Sequence, residues 1–421
     1  MTGPRCPRLP TVGSAGWTRH GSTGRYTLSL TLLLLLLATP ARSHDPSAWG
    51  GLFRSRDHGA TWVSANRGQF VSGAIALAIS PTDANHLLLG AEGGLLRSRN
   101  GGRDWIIEPP TVVVGPVFSL AFSADGQQTL VSTGLEIFRG EAENSWRATS
   151  TPEGSTPARA IVRSGAAGRV YLAGWTGLYR SDSWGESWSS AADGLPKEPA
   201  TALIVMDGSP ETIYAIVQGG VWASIDGGRS WAKRGAGMSA SNFDAFAVGL
   251  RQPTRLWAAG GDRLFQSHDG GATWLRVGRP LPEPNTTVHA ITASDEAVVV
   301  TTDRGLYRTV DSGESWTLIT ENLPAHLEAG PLVRDPLDPA TVYAGFSLIP
   351  YSELWRRAAG REGALARVSV TSLVGGVVFL VIVALAAIAA LRWLGSYYRM
   401  SGSGRPSALT HSNRRNEETL P

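Results

Sequence analysis

Three observations predict an all-β chain folded as a seven-bladed β-propeller, with one C-terminal transmembrane helix. The first is a series of tryptophans, Trp62, Trp105, Trp146, Trp188, Trp231, Trp274 and Trp316, spaced 43, 41, 42, 43, 43 and 42 residues apart. A fixed period of this size marks a repeat architecture, in which each unit buries its apolar face against the next. The second is the content of each period. Four short apolar runs separated by turn residues make one four-stranded antiparallel blade. The third is a charge-free stretch, 368–391, long enough to cross a bilayer as a helix.

Taken in order, the chain opens on a segment that reads as a secretory signal, residues 1–43. Arg5, Arg8, Arg19 and Arg25 precede the leucine-rich run Thr27–Ala38, and Ala41-Arg42-Ser43 places small residues where a signal peptidase cuts. Cleavage is expected, with an uncleaved anchor as the alternative. Cys6 is the only cysteine and lies before the apolar run, so the mature chain is expected to hold no disulfide and no cysteine metal site.

The repeat ending at Trp105 shows how one blade is written. Ala74–Ser80 and His86–Ala91 read as the first two strands, joined by the Pro81–Asn85 turn. Gly93-Gly94 makes a hairpin into Leu95–Ser98, and after Asn100-Gly101-Gly102 Trp105 opens the fourth strand. The last turn carries the strongest local pattern. It runs through Ser55, Asp57, Gly59 and Trp62; Ser98, Asn100, Gly102 and Trp105; Ser181, Ser183, Gly185 and Trp188. It recurs at Ser224, Asp226, Gly228 and Trp231; Ser267, Asp269, Gly271 and Trp274; Thr309, Asp311, Gly313 and Trp316. The repeat ending at Trp146 is degenerate. A carboxylate at the third position can accept hydrogen bonds from the amides of its own turn. The glycine can take a positive φ, and the tryptophan can fill the gap between adjacent sheets.

This octet, S-x-D-x-G-x-[ST]-W, resembles the Asp-box (BNR) repeat of a β-propeller superfamily over about residues 50–357. The superfamily includes sialidases, xyloglucan hydrolases, sortilin-like receptors and photosystem II assembly-factor propellers. The evenly short repeats are closest in style to the assembly-factor and sortilin-like members. The resemblance implies that the Asp-box turns lie at the blade periphery and act as fasteners.

Ring closure is expected to be split. The first octet follows the signal so closely that its blade lacks two strands, and 330–335 and 341–344 look like the missing pair. Glu353-Leu354-Trp355-Arg356 competes as another third strand, which leaves eight blades as an alternative. The propeller domain is thus set at 44–357, followed by a juxtamembrane linker 358–367, the membrane helix 368–391 and a basic disordered tail 392–421. With the signal outside, the propeller is expected on the extracytoplasmic face and the C-terminus in the cytoplasm. Trp393, Tyr397 and Tyr398 follow the apolar stretch as an interfacial belt would.

Charge bears on partners. The formal net charge is +3, but residues 1–43, 356–367 and 392–421 together carry +11, so 44–355 carries −8. A nucleic-acid binder concentrates positive charge in its folded domain, so nucleic acid is not an expected partner. No cofactor or metal is expected; His289 and His326 lack a third ligand by spacing. No catalytic residue is assigned. Sialidase-like enzymes carry an Arg-Ile-Pro motif that does not occur here, and the short repeats leave no long loops to build a cleft. A candidate binding face is assembled from residues flanking the first strands: Arg163, Arg251 and Arg334 with Asn242, Asp244, His289, His326 and Glu328. Phe70 and Arg159 lie nearby. The expected function is a non-enzymatic protein-binding scaffold or assembly factor for a membrane or envelope complex. A receptor for peptide or glycan and a sialidase-like glycoside hydrolase are the alternatives, and paired acids facing each other across the central face would favour the hydrolase.

Overall fold

The computed structural model describes residues 50–66, 71, 73–141, 145–208, 210–235, 243–249, 255–324, 327–360 and 383–392. The predicted signal 1–43 lies outside them. So do the linker from 361, the first fifteen residues of the predicted membrane span and the tail beyond 392. Residues 383–392 are helical and exposed. Among the described residues no helix is long and apolar enough to cross a membrane.

Seven four-stranded antiparallel sheets form the propeller. The chain begins with β1 (Gly51–Ser55) and β2 (Val63–Ser64). Blade one is β3 (Ala74–Ile79), β4 (Leu87–Ala91), β5 (Gly94–Ser98) and β6 (Ile106–Ile107). Blade two is β7 (Val117–Phe122), β8 (Thr129–Thr133), β9 (Ile137–Gly140) and β10 (Arg147–Ala148). Blade three is β11 (Ala160–Arg163), β12 (Val170–Ala173), β13 (Leu178–Ser181) and β14 (Ser189–Ser190). Blade four is β15 (Ala200–Met206), β16 (Thr212–Val217), β17 (Gly220–Ser224) and β18 (Ala232–Lys233). Blade five is β19 (Ala245–Val248), β20 (Leu256–Gly260), β21 (Arg263–Ser267) and β22 (Leu275–Val277). Blade six is β23 (Val288–Ala293), β24 (Val298–Thr302), β25 (Gly305–Thr309) and β26 (Thr317–Ile319).

The closing blade is split as expected. Its order is β2-β1-β28-β27, with β27 at Glu328–Arg334 and β28 at Val342–Ser347. Phe53 pairs with Ala344 and Ser55 with Val342, so the two chain ends share one ladder. Closure this way removes the open sheet edge that an unclosed array would expose.

The eight-blade alternative is excluded, and the reason is local. Glu353–Arg356 belongs not to a strand but to a helix, α1 (Tyr351–Ala359). Tyr351, Leu354, Trp355 and Ala358 fall at helical spacing on one face and pack with Ile75 and Phe118. Glu353 meanwhile reaches Arg356 at 2.8 Å and Arg357 at 2.6 Å on the exposed face. A four-residue window of alternating apolarity suits either structure; the neighbours one turn away decide it.

The core is a set of sheet-to-sheet layers. Second strands such as β4 (LLLGA) are buried throughout, as is β28 (VYAGFS) of the closing blade. The two-residue outer strands are exposed. Three of the repeat tryptophans reach a backbone carbonyl of the preceding blade, whereas Trp62 donates to Gly59 of its own turn. The indole N–H of Trp105 donates to the Ala65 carbonyl (2.7 Å), that of Trp231 to Ala191 (2.9 Å) and that of Trp316 to Arg279 (3.1 Å). All three carbonyls lie just past a fourth strand. In the degenerate repeat, Trp146 instead donates to the Glu108 carboxylate at 2.6 Å, and Glu108 is ion-paired with the buried Arg97.

Candidate functional site

The Asp-box turns are self-contained. Asp57 Oδ1 accepts the amides of Ala60 (3.0 Å) and Thr61 (2.9 Å), while Oδ2 accepts the Thr61 hydroxyl (2.6 Å). The Ser55 hydroxyl donates to Asp57 at 2.7 Å and accepts the Gly59 amide at 2.9 Å. Asp226, Asp269 and Asp311 accept the amide and hydroxyl of Ser230, Thr273 and Ser315 in the same way. Those donors, foremost the side-chain hydroxyl of Ser230 or Thr273, hold the carboxyls of Asp226 and Asp269 down at about 2. Gly59 has φ 83° and its missing Cβ would strike Val299 of blade six. In the two variant octets, Asn100 Oδ1 accepts the amides of Arg103 and Asp104, and Ser183 accepts only that of Ser187. Every bond of the carboxylates is local, so these turns fasten loops.

The opposite end of the blades holds a different set of residues. Five innermost strands carry a register shift near their start, at Ala74/Ala76, Val117/Ser119, Ala200/Ala202, Val288/Ala290 and Ala329/Leu332. A bulge re-aims the residue it contains. The bulged residues are Ile75, Phe118, Thr201, His289 and, in the closing blade, Gly330-Pro331. In blades three and five the equivalent places fall to Arg159 and Asp244, just before β11 and β19. These seven positions ring the mouth of the central channel, one per blade.

α1 covers half of that mouth. Leu354 and Trp355 are buried against Ile75 and Phe118, with Trp175 beside them. The Trp355 ring centroid is 4.7 Å from that of Trp175, and its indole N–H donates to the Pro157 carbonyl at 3.1 Å. The Arg159 guanidinium lies 4.9 Å from the Trp355 centroid and 5.7 Å from that of Tyr351. The other half is a cavity of about 250 Å³ bordered by Arg159, Thr201, Asp244, His289, Glu328 and Tyr351. Here His289 Nε2 stands 3.5 Å from Glu328 Oε1. Lost hydration against the channel wall raises the Glu328 and Asp244 carboxyls and lowers the His289 imidazole.

The expected binding face therefore divides. Asp244, His289 and Glu328 come together at the mouth. Arg163 and Arg334 do not join them: they end their inner strands, opposite Val170 and Val342, which pair in turn with Ser181 and Ser55. That register puts both arginines at the Asp-box end. Antiparallel pairing reverses the two ends of a strand, and grouping residues by "near a first strand" merged them. Arg334 donates to Thr292 Oγ1 at 2.9 Å and to the Pro339 carbonyl, a blade-to-blade tie. Asn242, Arg251, His326 and Phe70 lie outside the described residues. Sequence reasoning missed Thr201, Trp175, Tyr351 and Trp355, and set Arg159 beside Arg163 without including it in the face. The signal that finds the ring is a second period: Ile75, Phe118, Arg159, Thr201, Asp244, His289 and Gly330 are 41 to 45 residues apart. Among the described residues no group of three or more His, Cys, Asp or Glu could hold a metal ion.

Fold and turns together define an Asp-box β-propeller. The family model for photosynthesis system II assembly factor YCF48 matches residues 216–329, from β16 to the start of β27. Among solved structures, YCF48 from Cyanidioschyzon merolae is 13% identical at a TM-score of 0.50, covering 65% of this chain and 95% of its own. YCF48 bound to D1 peptide is 16% identical at 0.50, covering 66% and 94%. The GH74 xyloglucanase from Xanthomonas campestris is 18% identical at 0.52, covering 67% and 55%. Identities this low speak for the fold. No curated protein matches at a significant level. The chain thus resembles the photosystem II assembly-factor propellers within the Asp-box superfamily.

Proposed function

We propose that this protein is a non-enzymatic binding scaffold, an assembly or stability factor for a membrane or envelope complex. In this reading the signal segment directs the propeller to the extracytoplasmic side, the 368–391 segment tethers it, and the tail is cytoplasmic. The observation that carries the scaffold reading is the channel mouth: a rigid ring whose seven positions come from seven blades, already seating one amphipathic helix by aromatic anchors. The likeness to the YCF48 model and structures supports it, one of those structures being bound to a peptide. Fold alone hosts many functions, so the site is the stronger argument.

The test is affinity purification of the full-length protein from its native membranes in mild detergent, with mass spectrometry. A stoichiometric integral-membrane partner is the expected result, and its absence would sink the reading. Substitutions belong at Asp244, His289 and Glu328, with Arg163 and Arg334 as probes of the opposite end.

One observation favours a second reading. Asp244 and Glu328 border a single cavity, and two carboxylates flanking a bond are what a glycoside hydrolase needs. Against it stands the half-covered mouth, which leaves little room for a sugar chain. Turnover of a glycoside that disappears in Asp244→Asn or Glu328→Gln would establish the hydrolase in place of the scaffold. Glycan or peptide binding without turnover would point to a receptor.

A further inference from the structure

The open half of the channel mouth has an unbalanced charge. Glu328 faces the His289 imidazole, which lost hydration holds toward its neutral form. Asp244 accepts a backbone N–H from Gly261 and feels Arg159, yet no ion pair joins the two. Arg159 is itself engaged with the faces of Trp355 and Tyr351. The Tyr351 hydroxyl is enclosed and has no hydrogen-bond partner among the described residues. A polar group enclosed without a partner, like a carboxylate without a countercharge, costs free energy that a suitable ligand recovers. The cavity, at about 250 Å³, is smaller than most small-molecule pockets, roughly 300–1,000 Å³. It suits one side chain better than a whole metabolite. The domain around it carries −8, which steers positively charged partners toward it.

We propose that this cavity binds one ammonium or guanidinium group on a basic side chain of a partner protein, between Asp244 and Glu328, with α1 as its movable wall. The inference rests on the mouth being the partner-binding face. Tyr351 and Ser352 of α1 border the cavity, so binding of the cation and seating of α1 strengthen each other, and the coupling is reciprocal. Trp355 is a positioning residue: it holds the wall and does not touch the cation.

The full-length protein in mild detergent is titrated with N-acetyl-lysine methylamide and N-acetyl-arginine methylamide. The readout is the ¹⁵N shift of the His289 imidazole, assigned by its loss in His289→Gln. A saturable shift is expected with both probes and none with the neutral Nε-acetyl-lysine and citrulline analogues. Asp244→Asn and Glu328→Gln should each weaken binding about tenfold, the factor that 1.4 kcal/mol represents. Trp355→Ala should weaken it while leaving both carboxylates in place. No saturable shift, or an equal shift from citrulline, overturns the proposal. Co-purification separates the two claims. A partner retained by the Asp244→Asn, Glu328→Gln double variant, with His289 silent, sinks the cavity and leaves the scaffold. A responsive His289 with no partner does the reverse.

Discussion

Asp226 and Asp269 each accept the amide and the hydroxyl of a residue four places on, and their carboxyls titrate at about 2. The sign of the pH effect follows. A folded-state value below the unfolded one, about 3.9, stabilises the fold above pH 4, and that contribution fades as pH falls toward 2. Asp226→Ala should therefore lower stability by about 1 kcal/mol at pH 7, a figure for exposed turn hydrogen bonds. The penalty should shrink as pH falls from 4 through 2, toward what the protonated side chain alone contributes. Thermal melts of wild type and variant across pH 2–7 check this, and a pH-independent difference would contradict it. These residues were legible in the sequence because all their partners sit within four places. The mouth residues were not, because Asp244 and Glu328 meet only across blades.

At the scale of the element, α1 is a nine-residue helix, shorter than an isolated helix needs to be stable in water. Its N-cap is Pro350, with no side-chain cap hydrogen bond. Docking must therefore hold it, through Trp355 above all. Trp355→Ala should abolish hydrogen-exchange protection at 351–359 while leaving the strand amides unchanged. Equal protection in the variant would show that Leu354 and Tyr351 suffice. The tryptophan staples act between elements. Trp105 is buried between blade one and the closing blade, against Leu52 and Tyr343, and Trp105→Ala should cost about 3–5 kcal/mol, read by denaturant unfolding. Trp105→Phe keeps most of the apolar contact but orphans the Ala65 carbonyl, for a loss of about 1–2 kcal/mol. The strands were legible from turn residues and short apolar runs. α1 was not, since its apolar spacing only became decisive once Ile75 and Phe118 supplied a surface to bury against.

For the whole molecule, closure is the central fact. β1 and β2 complete a blade with β27 and β28, so a chain lacking 50–66 would leave β28 as an open hydrophobic edge. Such a deletion should not give a monomeric propeller. Size-exclusion chromatography should find aggregates or strand-swapped oligomers, and a well-behaved monomer would mean that blade one closes the ring without its neighbour. Closure also makes the mouth: seven positions can face one another only in a ring, and half of that ring is then occupied by the segment that follows the last strand.

The sequence by itself determined the all-β architecture, the seven repeats, the split closing blade and the fastening turns. Each of these depends on residues a few places apart or on a period that survives translation along the chain. Only the tertiary structure decided that Glu353–Arg356 is helical, that Arg163 and Arg334 lie away from Asp244, His289 and Glu328, and that α1 shares the channel mouth with a polar cavity. Those facts depend on which end of an antiparallel strand a residue occupies and on contacts between segments far apart in the chain, such as Trp355 with Ile75 and with Pro157. A one-dimensional pattern carries neither.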